Sequence, residues 1–171
     1  METEFTQHTI GKLVFDVEDL TNKHRQQSTW KKHVIAFIDD DDFCDYYSWF
    51  IKKRYNITTI PRPIRGTHLT LINDRLGDFD VIEERYQEIK EKYNGTEIDI
   101  RYSLSPRTDG KHWWMRSRTD LGTQIRTELG LSPKPYFGYH ITVGRHEGKD
   151  WEKEHGKYIH TLIKKGIISE L

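Results

Sequence analysis

Two short segments of the chain repeat one pattern of polar and apolar residues, and this repeat constrains the fold more than any other feature. The segments are Thr-His-Leu-Thr-Leu at 67–71 and Tyr-His-Ile-Thr-Val at 139–143. Because side chains alternate between the two faces of a strand, the His and the Thr of each segment share one face, and the apolar residue between them points to the other. The repeat predicts two strands that present four polar side chains around something polar.

The overall charge limits the class of ligand. The 171 residues carry 27 basic and 27 acidic side chains, a formal net charge of zero. Proteins that bind long nucleic acid usually have a broad basic face, so this balance argues against such a partner and leaves a short or cyclic phosphate-bearing ligand open. Aromatic residues make up 12% of the chain, which indicates a folded protein rather than a disordered one. We expect one domain over residues 1–171.

Cysteine usage and hydrophobic pattern favour an intracellular protein. Cys44 is the only cysteine, which excludes an internal disulfide framework and a Cys-rich zinc site. The first residues lack the basic and apolar regions of a signal peptide, and no apolar run approaches the roughly 18 residues of a membrane span. We therefore expect a soluble cytoplasmic protein without a membrane partner, and the pattern leaves its oligomeric state open.

The periodicity of apolar residues predicts an α+β fold. Strands are expected at 12–17, 33–38, 67–72, 96–104, 111–116 and 138–144, and helices at 43–54, 79–93, 118–129 and 149–164, with a short helix or ordered loop at 18–30. The strands lack the long, fully apolar sequences of a buried parallel sheet, so we expect a mainly antiparallel sheet with helices on one side. The acidic run Asp39–Asp42 fits a helix N-terminus better than a metal site, because carboxylates there interact favourably with the helix dipole.

Two copies of His–hydrophobic–Thr–hydrophobic, about seventy residues apart, resemble the 2H phosphoesterase superfamily. That superfamily includes the RNA 2′,3′-cyclic phosphodiesterases and the ligase-like 2′-5′ enzymes. The resemblance implies two pseudo-symmetric lobes of mainly antiparallel sheet, with outer helices and a central cleft. It covers most of the chain at the level of element order, and the two motifs are its only specific part.

A narrower resemblance involves the segment Pro61–Asp74, which looks like the corresponding part of the phage anti-CBASS nucleases. Those 2H proteins hydrolyse the cyclic di- and trinucleotide messengers of a bacterial defence system. The resemblance implies a phosphodiesterase that acts on cyclic oligonucleotides in the cytoplasm of a bacterial host and so evades its immunity.

The residue types of the motifs suit this reaction. Cleavage of a phosphodiester takes a proton from the attacking oxygen and delivers one to the leaving oxygen, and His, with an unperturbed pKa of about 6.5, serves both tasks. A Thr hydroxyl can donate to the non-bridging oxygens, where negative charge develops. The resemblance implies that His68 and His140 are the acid/base pair and that Thr70 and Thr142 bind the phosphate. The residues alone do not indicate which His is the base.

Residues near the motifs are candidates for binding a nucleotide. Arginines can clamp phosphate, and nucleobases stack on exposed aromatic rings for roughly 1–3 kcal/mol each. Trp113 and Trp114 are neighbours on a predicted strand, so we expect one in the core and the other at the cleft or in solvent. The candidate substrate-binding residues are Arg65, Trp113, Trp114, Tyr136, Phe137 and Arg145.

No metal or other cofactor is expected, because His140, His146 and His155 lack a standard ligand spacing. Two other functions stay open. One keeps the chemistry and changes the substrate to RNA ends, with 2′,3′-cyclic phosphates or 2′-5′ linkages. The other is a catalytically silent module that binds nucleotides or RNA, although binding alone does not need two proton-transfer groups.

Overall fold

The protein is a mixed α+β structure whose strands form one antiparallel sheet. The computed structural model describes residues 4–17, 33–57, 60–63, 66–73, 83–146, 161, 164 and 165. Within these ranges the elements are β1 (Gln7–Phe15), β2 (His33–Phe37), α1 (Asp41–Tyr55), β3 (His68–Asn73), α2 (Glu83–Tyr93), β4 (Glu97–Thr108), β5 (His112–Arg118), α3 (Asp120–Glu128) and β6 (His140–Arg145).

The six strands close into a barrel in the order β1–β2–β3–β6–β5–β4. Every strand pairing is antiparallel, as the sequence pattern predicts. The closing of the sheet on itself was not predicted, because closure depends on pairings such as β1 with β4 that join distant parts of the chain. The pairing of β3 with β6 is the one that brings the two repeated segments together.

The hydrophobic core follows from alternation along the strands. Leu13 on β1, Ala36 on β2 and Leu69 on β3 are fully buried, and so are Met115 on β5 and Ile141 on β6. These residues belong to one continuous cluster that also includes apolar side chains of all three helices. The two motif strands share one burial pattern, in which the first and third residues are half-buried and the second is buried. The predicted division of each motif into a polar and an apolar face is confirmed.

Helix α1 begins at the acidic run, as predicted. Asp40 is its N-cap and accepts a hydrogen bond from the backbone N–H of Asp42. Asn56 ends the helix in the left-handed conformation, with φ 54°. The helix packs against β6, and the Ser48 hydroxyl donates to the Val143 carbonyl oxygen at 2.9 Å. Cys44 on the same helix is buried and lies 3.1 Å from the Thr67 hydroxyl.

Each motif strand has a bulge directly after its Thr. On β3 the register passes from Thr70 to Ile72, and Leu71 is left out of the ladder with β2. On β6 it passes from Thr142 to Gly144 and leaves out Val143 in the same way. A bulge turns the following side chains relative to the sheet and is common beside functional sites. The two motifs therefore share backbone irregularity as well as sequence.

Some elements differ in extent from the prediction. Strand β1 starts at Gln7 and ends before Asp16, and β4 continues through Pro106, beyond the predicted strand end at residue 104. Pro106 is tolerated in the strand because the pairing of β4 with β5 is irregular between Tyr102 and Pro106. The predicted segment 18–30, and the predicted helix 149–164 apart from Thr161 and Lys164, lie outside the described residues.

None of the described helices is long and apolar enough to cross a membrane.

Candidate active site

Four polar side chains of β3 and β6 lie on the same face of the sheet, on strands that are neighbours. All four are half-buried, whereas the apolar residues between them point into the core. We name this group the His–Thr quartet, and its members are His68, Thr70, His140 and Thr142.

The register between the strands sets the arrangement of the quartet. Leu69 pairs with Ile141 in antiparallel orientation. One residue further in either direction, the His of each strand lies opposite the Thr of the other. Side chains directly opposite have Cβ atoms about 4.5–5.5 Å apart, and diagonal neighbours, here the two His, about 7–8 Å apart. That separation suits two imidazoles that contact one phosphate group, with a hydrogen bond of about 2.8 Å on each side.

The orientation of both imidazoles is fixed by the same backbone contact. Nδ1 of His68 donates to the Gly66 carbonyl oxygen at 2.7 Å, and Nδ1 of His140 donates to the Gly138 carbonyl oxygen at 3.0 Å. A carbonyl oxygen only accepts, so Nδ1 must carry the proton in each ring. The neutral form of each His then has its lone pair on Nε2, which is the tautomer that a general base on this face requires.

The segment before β6 holds His140 through a turn that depends on glycine. Gly138 has φ 71°, and its N–H donates to the Pro135 carbonyl oxygen at 2.8 Å. This left-handed conformation is unfavourable for residues with a Cβ atom. Tyr139 is buried, and its hydroxyl donates to the Pro133 carbonyl oxygen at 2.9 Å. The turn is therefore anchored on both sides of the carbonyl group that orients His140.

His140 has a pKa that its surroundings perturb. Burial lowers its pKa below the usual range, and the nearby His112 lowers it further, while the hydrogen bond to Gly138 partly opposes both effects. The ring of Trp114 covers His140 edge-on, with centroids 6.2 Å apart. His140 is consequently neutral at pH 7, with an unprotonated Nε2.

A cavity of about 350 Å³ opens beside β6. Its described lining comes from three places: the second motif, strand β5 with the turn before it, and the loop before β6. The lining residues are Asp109, His112, Trp114, Phe137, His140 and Thr142. Residues of β3 are not among them, so the first motif lies next to the cavity rather than in its wall.

The two neighbouring tryptophans have different positions. Trp113 is fully buried, stacks on Tyr55 and donates from its indole N–H to Nε2 of His146 at 3.2 Å. It offers no face to a ligand, so its inclusion among the substrate-binding candidates is corrected: it is a core residue. Trp114 lies on the opposite face of β5, is the cross-strand partner of Thr142 and lines the cavity.

The remaining substrate-binding candidates differ in exposure and in position relative to the cavity. Phe137 lines the cavity and is about half exposed, and its ring meets the more exposed ring of Tyr136 edge-on at 4.9 Å. Arg145 lies opposite His112 across the β5–β6 pairing, and its buried Nε has no hydrogen-bond partner in the described part of the chain. Arg65 lies outside the described residues.

The structure adds an arginine that sequence reasoning missed. Arg116 on β5 is the cross-strand partner of His140 and therefore lies on the same face of the sheet. Its guanidinium group forms an ion pair with Glu4 and lies 5.7 Å from the centroid of the Phe5 ring. Alternation places Arg116 on the face of Trp114, but the partner strand of β5 could not be known from the sequence.

Three further residues near the quartet were not singled out from the sequence. Phe37 on β2 pairs with His68 and is an exposed aromatic ring. Asp109 and His112 form a hydrogen-bonded pair at the β4–β5 turn and line the cavity. An Asp three residues before a His at a turn was a visible signal, but such a pair is common on protein surfaces.

The described residues contain no group of three or more His, Cys, Asp or Glu side chains placed to hold a metal ion. His146 is buried and accepts a hydrogen bond from Trp113, and His155 lies outside the described residues.

No family model, curated protein or solved structure matches this chain. The geometry of the quartet and its cavity is therefore the basis for a functional assignment.

Proposed function

We propose that the protein is a metal-independent phosphodiesterase that hydrolyses cyclic di- and trinucleotides. The observation that carries this proposal is the His–Thr quartet: two imidazoles of defined tautomer and two hydroxyls on one face of two paired strands. Such a group contains the donors and acceptors that phosphodiester cleavage requires. In this proposal the two motif strands belong to two pseudo-symmetric lobes, and the scissile phosphate binds in the cleft between them.

The unequal surroundings of the two imidazoles favour one division of labour. His140 is neutral at pH 7 because burial lowers its pKa, so we assign it as the general base of the first step. His68 is then the general acid, and it donates from Nε2 while Nδ1 stays bonded to Gly66. The two Thr hydroxyls donate to the non-bridging oxygens, and Arg116 is placed beside His140 to stabilise the charge that develops there.

The proposed first step is an attack by the 2′-hydroxyl on the adjacent phosphorus. Nε2 of His140 takes the hydroxyl proton, the bond between the 2′-oxygen and phosphorus forms, and the bond to the 5′-oxygen breaks. The leaving 5′-oxygen receives a proton from His68, so the products are a 2′,3′-cyclic phosphate and a 5′-hydroxyl. Water then opens the cyclic phosphate with the two His in exchanged roles, which restores both protonation states.

The size and lining of the cavity favour a short nucleotide ligand. A volume of about 350 Å³ is at the small end of ligand sites, and Trp114 and Phe137 provide aromatic surface for a base. Zero net charge fits a ligand with few phosphates better than a long nucleic acid. Together with the resemblance to phage anti-CBASS nucleases, this supports a role in removing cyclic oligonucleotide messengers in the cytoplasm of a bacterial host.

The decisive experiment is a cleavage assay in EDTA. The purified protein is incubated with 3′,3′-linked cyclic dinucleotides, a cyclic trinucleotide and a nucleoside 2′,3′-cyclic phosphate, and products are separated by chromatography. We expect the cyclic oligonucleotides to be cleaved at an undiminished rate in EDTA. The variants His68→Ala and His140→Ala should each lose about 10³-fold in kcat, within the range for a general acid or base. The matched control is His8→Ala, which removes an exposed His on β1.

The other outcomes identify other functions. Cleavage of the mononucleotide alone would assign the quartet to RNA ends, and tight binding without turnover would make the protein a nucleotide-binding module. Near wild-type turnover by His140→Ala would contradict the assignment of the quartet as the catalytic group. Loss of activity in EDTA that added Mg²⁺ or Mn²⁺ restores would contradict the metal-independent mechanism.

A further inference from the structure

A second imidazole is held in a fixed orientation at the far end of the cavity. Nδ1 of His112 lies 2.9 Å from one carboxylate oxygen of Asp109. The other oxygen of Asp109 accepts hydrogen bonds from the backbone N–H groups of Lys111 and His112, at 2.8 and 2.6 Å. The chain turns tightly here through Gly110, whose φ is 89°. The β4–β5 turn is therefore built around this carboxylate, and the carboxylate orients the imidazole.

The Asp109 carboxylate is ionised. Burial would raise its pKa, but the hydrogen bonds from the His112 side chain and from the two backbone N–H groups outweigh burial and hold the pKa well below its usual range. An ionised carboxylate accepts the Nδ1 proton of His112, which leaves Nε2 as the ring nitrogen for a ligand. A protonated imidazole held in this orientation donates from Nε2 and can form a charge-assisted hydrogen bond with a phosphate oxygen.

His112 is close to the quartet but separate from it. Alternation along β5 places His112 and Trp114 on the same face, about 6–7 Å apart along the strand, and Trp114 is the cross-strand partner of Thr142. Both His112 and His140 line the same cavity. The cavity wall thus runs from His140 and Thr142 of the second motif, past the ring of Trp114, to the imidazole of His112.

We propose that the Asp109–His112 pair is a second phosphate subsite, which binds the phosphate of the substrate that is not being cleaved. The inference rests on the proposed function and deepens it, because it requires a substrate with two phosphates joined through a nucleoside. A cyclic dinucleotide has this property, and a dinucleoside monophosphate with the same 3′-5′ linkage does not. Arg145, the cross-strand partner of His112, adds a guanidinium group beside the subsite.

The experiment compares these two ligands. Dissociation constants are measured by calorimetry for a cyclic dinucleotide and for the linear dinucleoside monophosphate with the same bases, both in 2′-deoxy form so that they lack the attacking hydroxyl. Initial cleavage rates are measured separately with the ribose forms in EDTA. The proteins are the wild type, His112→Ala and His8→Ala. His8 is a matched control because it also pairs with an Asp, at 3.0 Å from Asp99, but lies on β1 outside the cavity. Thermal unfolding reports whether each variant is folded.

His112→Ala should weaken binding of the cyclic dinucleotide about 10-fold or more, the loss expected for one hydrogen bond to a charged group. Binding of the single-phosphate ligand should stay within twofold of the wild type, and His8→Ala should change neither constant. Asp109→Asn tests the pair without truncating the imidazole and keeps an oxygen for the backbone N–H groups. It should show the same selective loss.

Three outcomes would overturn the subsite. These are an equal loss for both ligands, unchanged binding of the cyclic dinucleotide by both variants, and a wild-type protein that does not bind the cyclic dinucleotide. The proposed function is judged separately from the cleavage rates. A wild type that binds the cyclic dinucleotide in a His112-dependent way but never cleaves it would retain the subsite and refute the phosphodiesterase.

Discussion

Strands β3 and β6 have the same local design in two different surroundings. Each begins with a His held by the carbonyl group of a glycine two residues earlier, continues with a Thr on the same face, and bulges at the next residue. The carbonyl oxygen of each bulged residue accepts a side-chain hydrogen bond: from Arg126 at Leu71, and from Ser48 at Val143. Buried carbonyl groups that leave a ladder need such partners. Motif, bulge and helix contact therefore form one structural unit that occurs twice.

The neighbours of the two motifs differ. His140 lies opposite Arg116 and against Trp114, with a cavity beside it. His68 lies opposite the exposed ring of Phe37 on the neighbouring strand β2. The repeated unit fixes the tautomer and direction of both imidazoles, whereas the adjacent strands determine burial and charge. The sequence repeat thus predicts two equivalent His positions, but the neighbouring strands give the two His side chains different surroundings.

The largest effects that test this comparison are expected at the two Thr residues. Thr70→Val and Thr142→Val remove a hydroxyl while nearly preserving shape. Each should lower kcat about 10²-fold, the low end of the range for one donor to a developing oxyanion. Thr142→Val should also raise KM, because Thr142 lines the cavity and Thr70 does not. Steady-state kinetics on a cleaved cyclic oligonucleotide measure both parameters.

The control for the Thr substitutions is Thr9→Val on β1, a strand paired with β2 and β4 rather than with either motif strand. Its kinetics should match the wild type. If either motif Thr can be replaced without loss of kcat, the two strands do not act on one phosphate together. If both variants raise KM equally, the cavity beside β6 does not distinguish the motifs.

Alternation and periodicity were enough to predict much of this design. The shared face of His and Thr follows from the period of two in a strand, and the burial pattern of both strands confirms it. The helix after Asp42 follows from apolar spacing and the acidic run, and Asp40 is its cap. These features depend on residues close together in sequence, for which local stereochemistry decides the outcome.

The rest depends on which strands become neighbours. Barrel closure, the opposition of Arg116 to His140, and the placement of His112 in the same cavity all require long-range pairings. Periodicity alone could not predict which of Trp113 and Trp114 is buried. A period of two puts them on opposite faces of the strand but does not indicate which face packs into the core. The position of β5 in the barrel determines that Trp113 is the buried residue.

A smaller effect should distinguish the two glycines that orient the imidazoles. Gly138 has φ 71°, whereas the φ of Gly66 lies outside the positive range. Gly138→Ala should therefore destabilise the fold by about 1–2 kcal/mol and lower kcat about 10-fold, because the carbonyl group that holds His140 is displaced. Gly66→Ala needs only a small adjustment of the Phe37 ring, which lies 3.3 Å from the new Cβ.

Urea unfolding and steady-state kinetics on both alanine variants measure this difference. Gly66→Ala should stay within about 0.5 kcal/mol of the wild type, the usual range for a surface substitution. Equal losses in the two variants would show that the glycines matter for a reason other than backbone conformation. A fully active Gly138→Ala would show that the Gly138 contact does not orient the catalytic form of His140.

The smallest expected effect is in the pH dependence of the rate. Burial first, and His112 second, lower the pKa of His140, so the acidic limb of kcat/KM should lie below the ordinary His value of about 6.5. His112→Gln removes one of these causes and should move that limb to higher pH, while kcat at pH 8 and saturating substrate changes little. If the acidic limb does not move, His112 does not affect the pKa of the general base His140.

The same pKa predicts the sign of a stability effect that needs no substrate. Between the lowered pKa of folded His140 and the ordinary value of about 6.5, the unfolded chain binds more protons, so the free energy of unfolding rises with pH. This contribution is complete above the unfolded value and is lost as the pH falls through the folded value. In urea titrations between pH 5 and 8, His140→Gln should show a shallower rise than the wild type, since glutamine does not titrate. Equal slopes would mean that His140 is not held neutral by its surroundings, and the asymmetry between β3 and β6 would then lose its electrostatic basis.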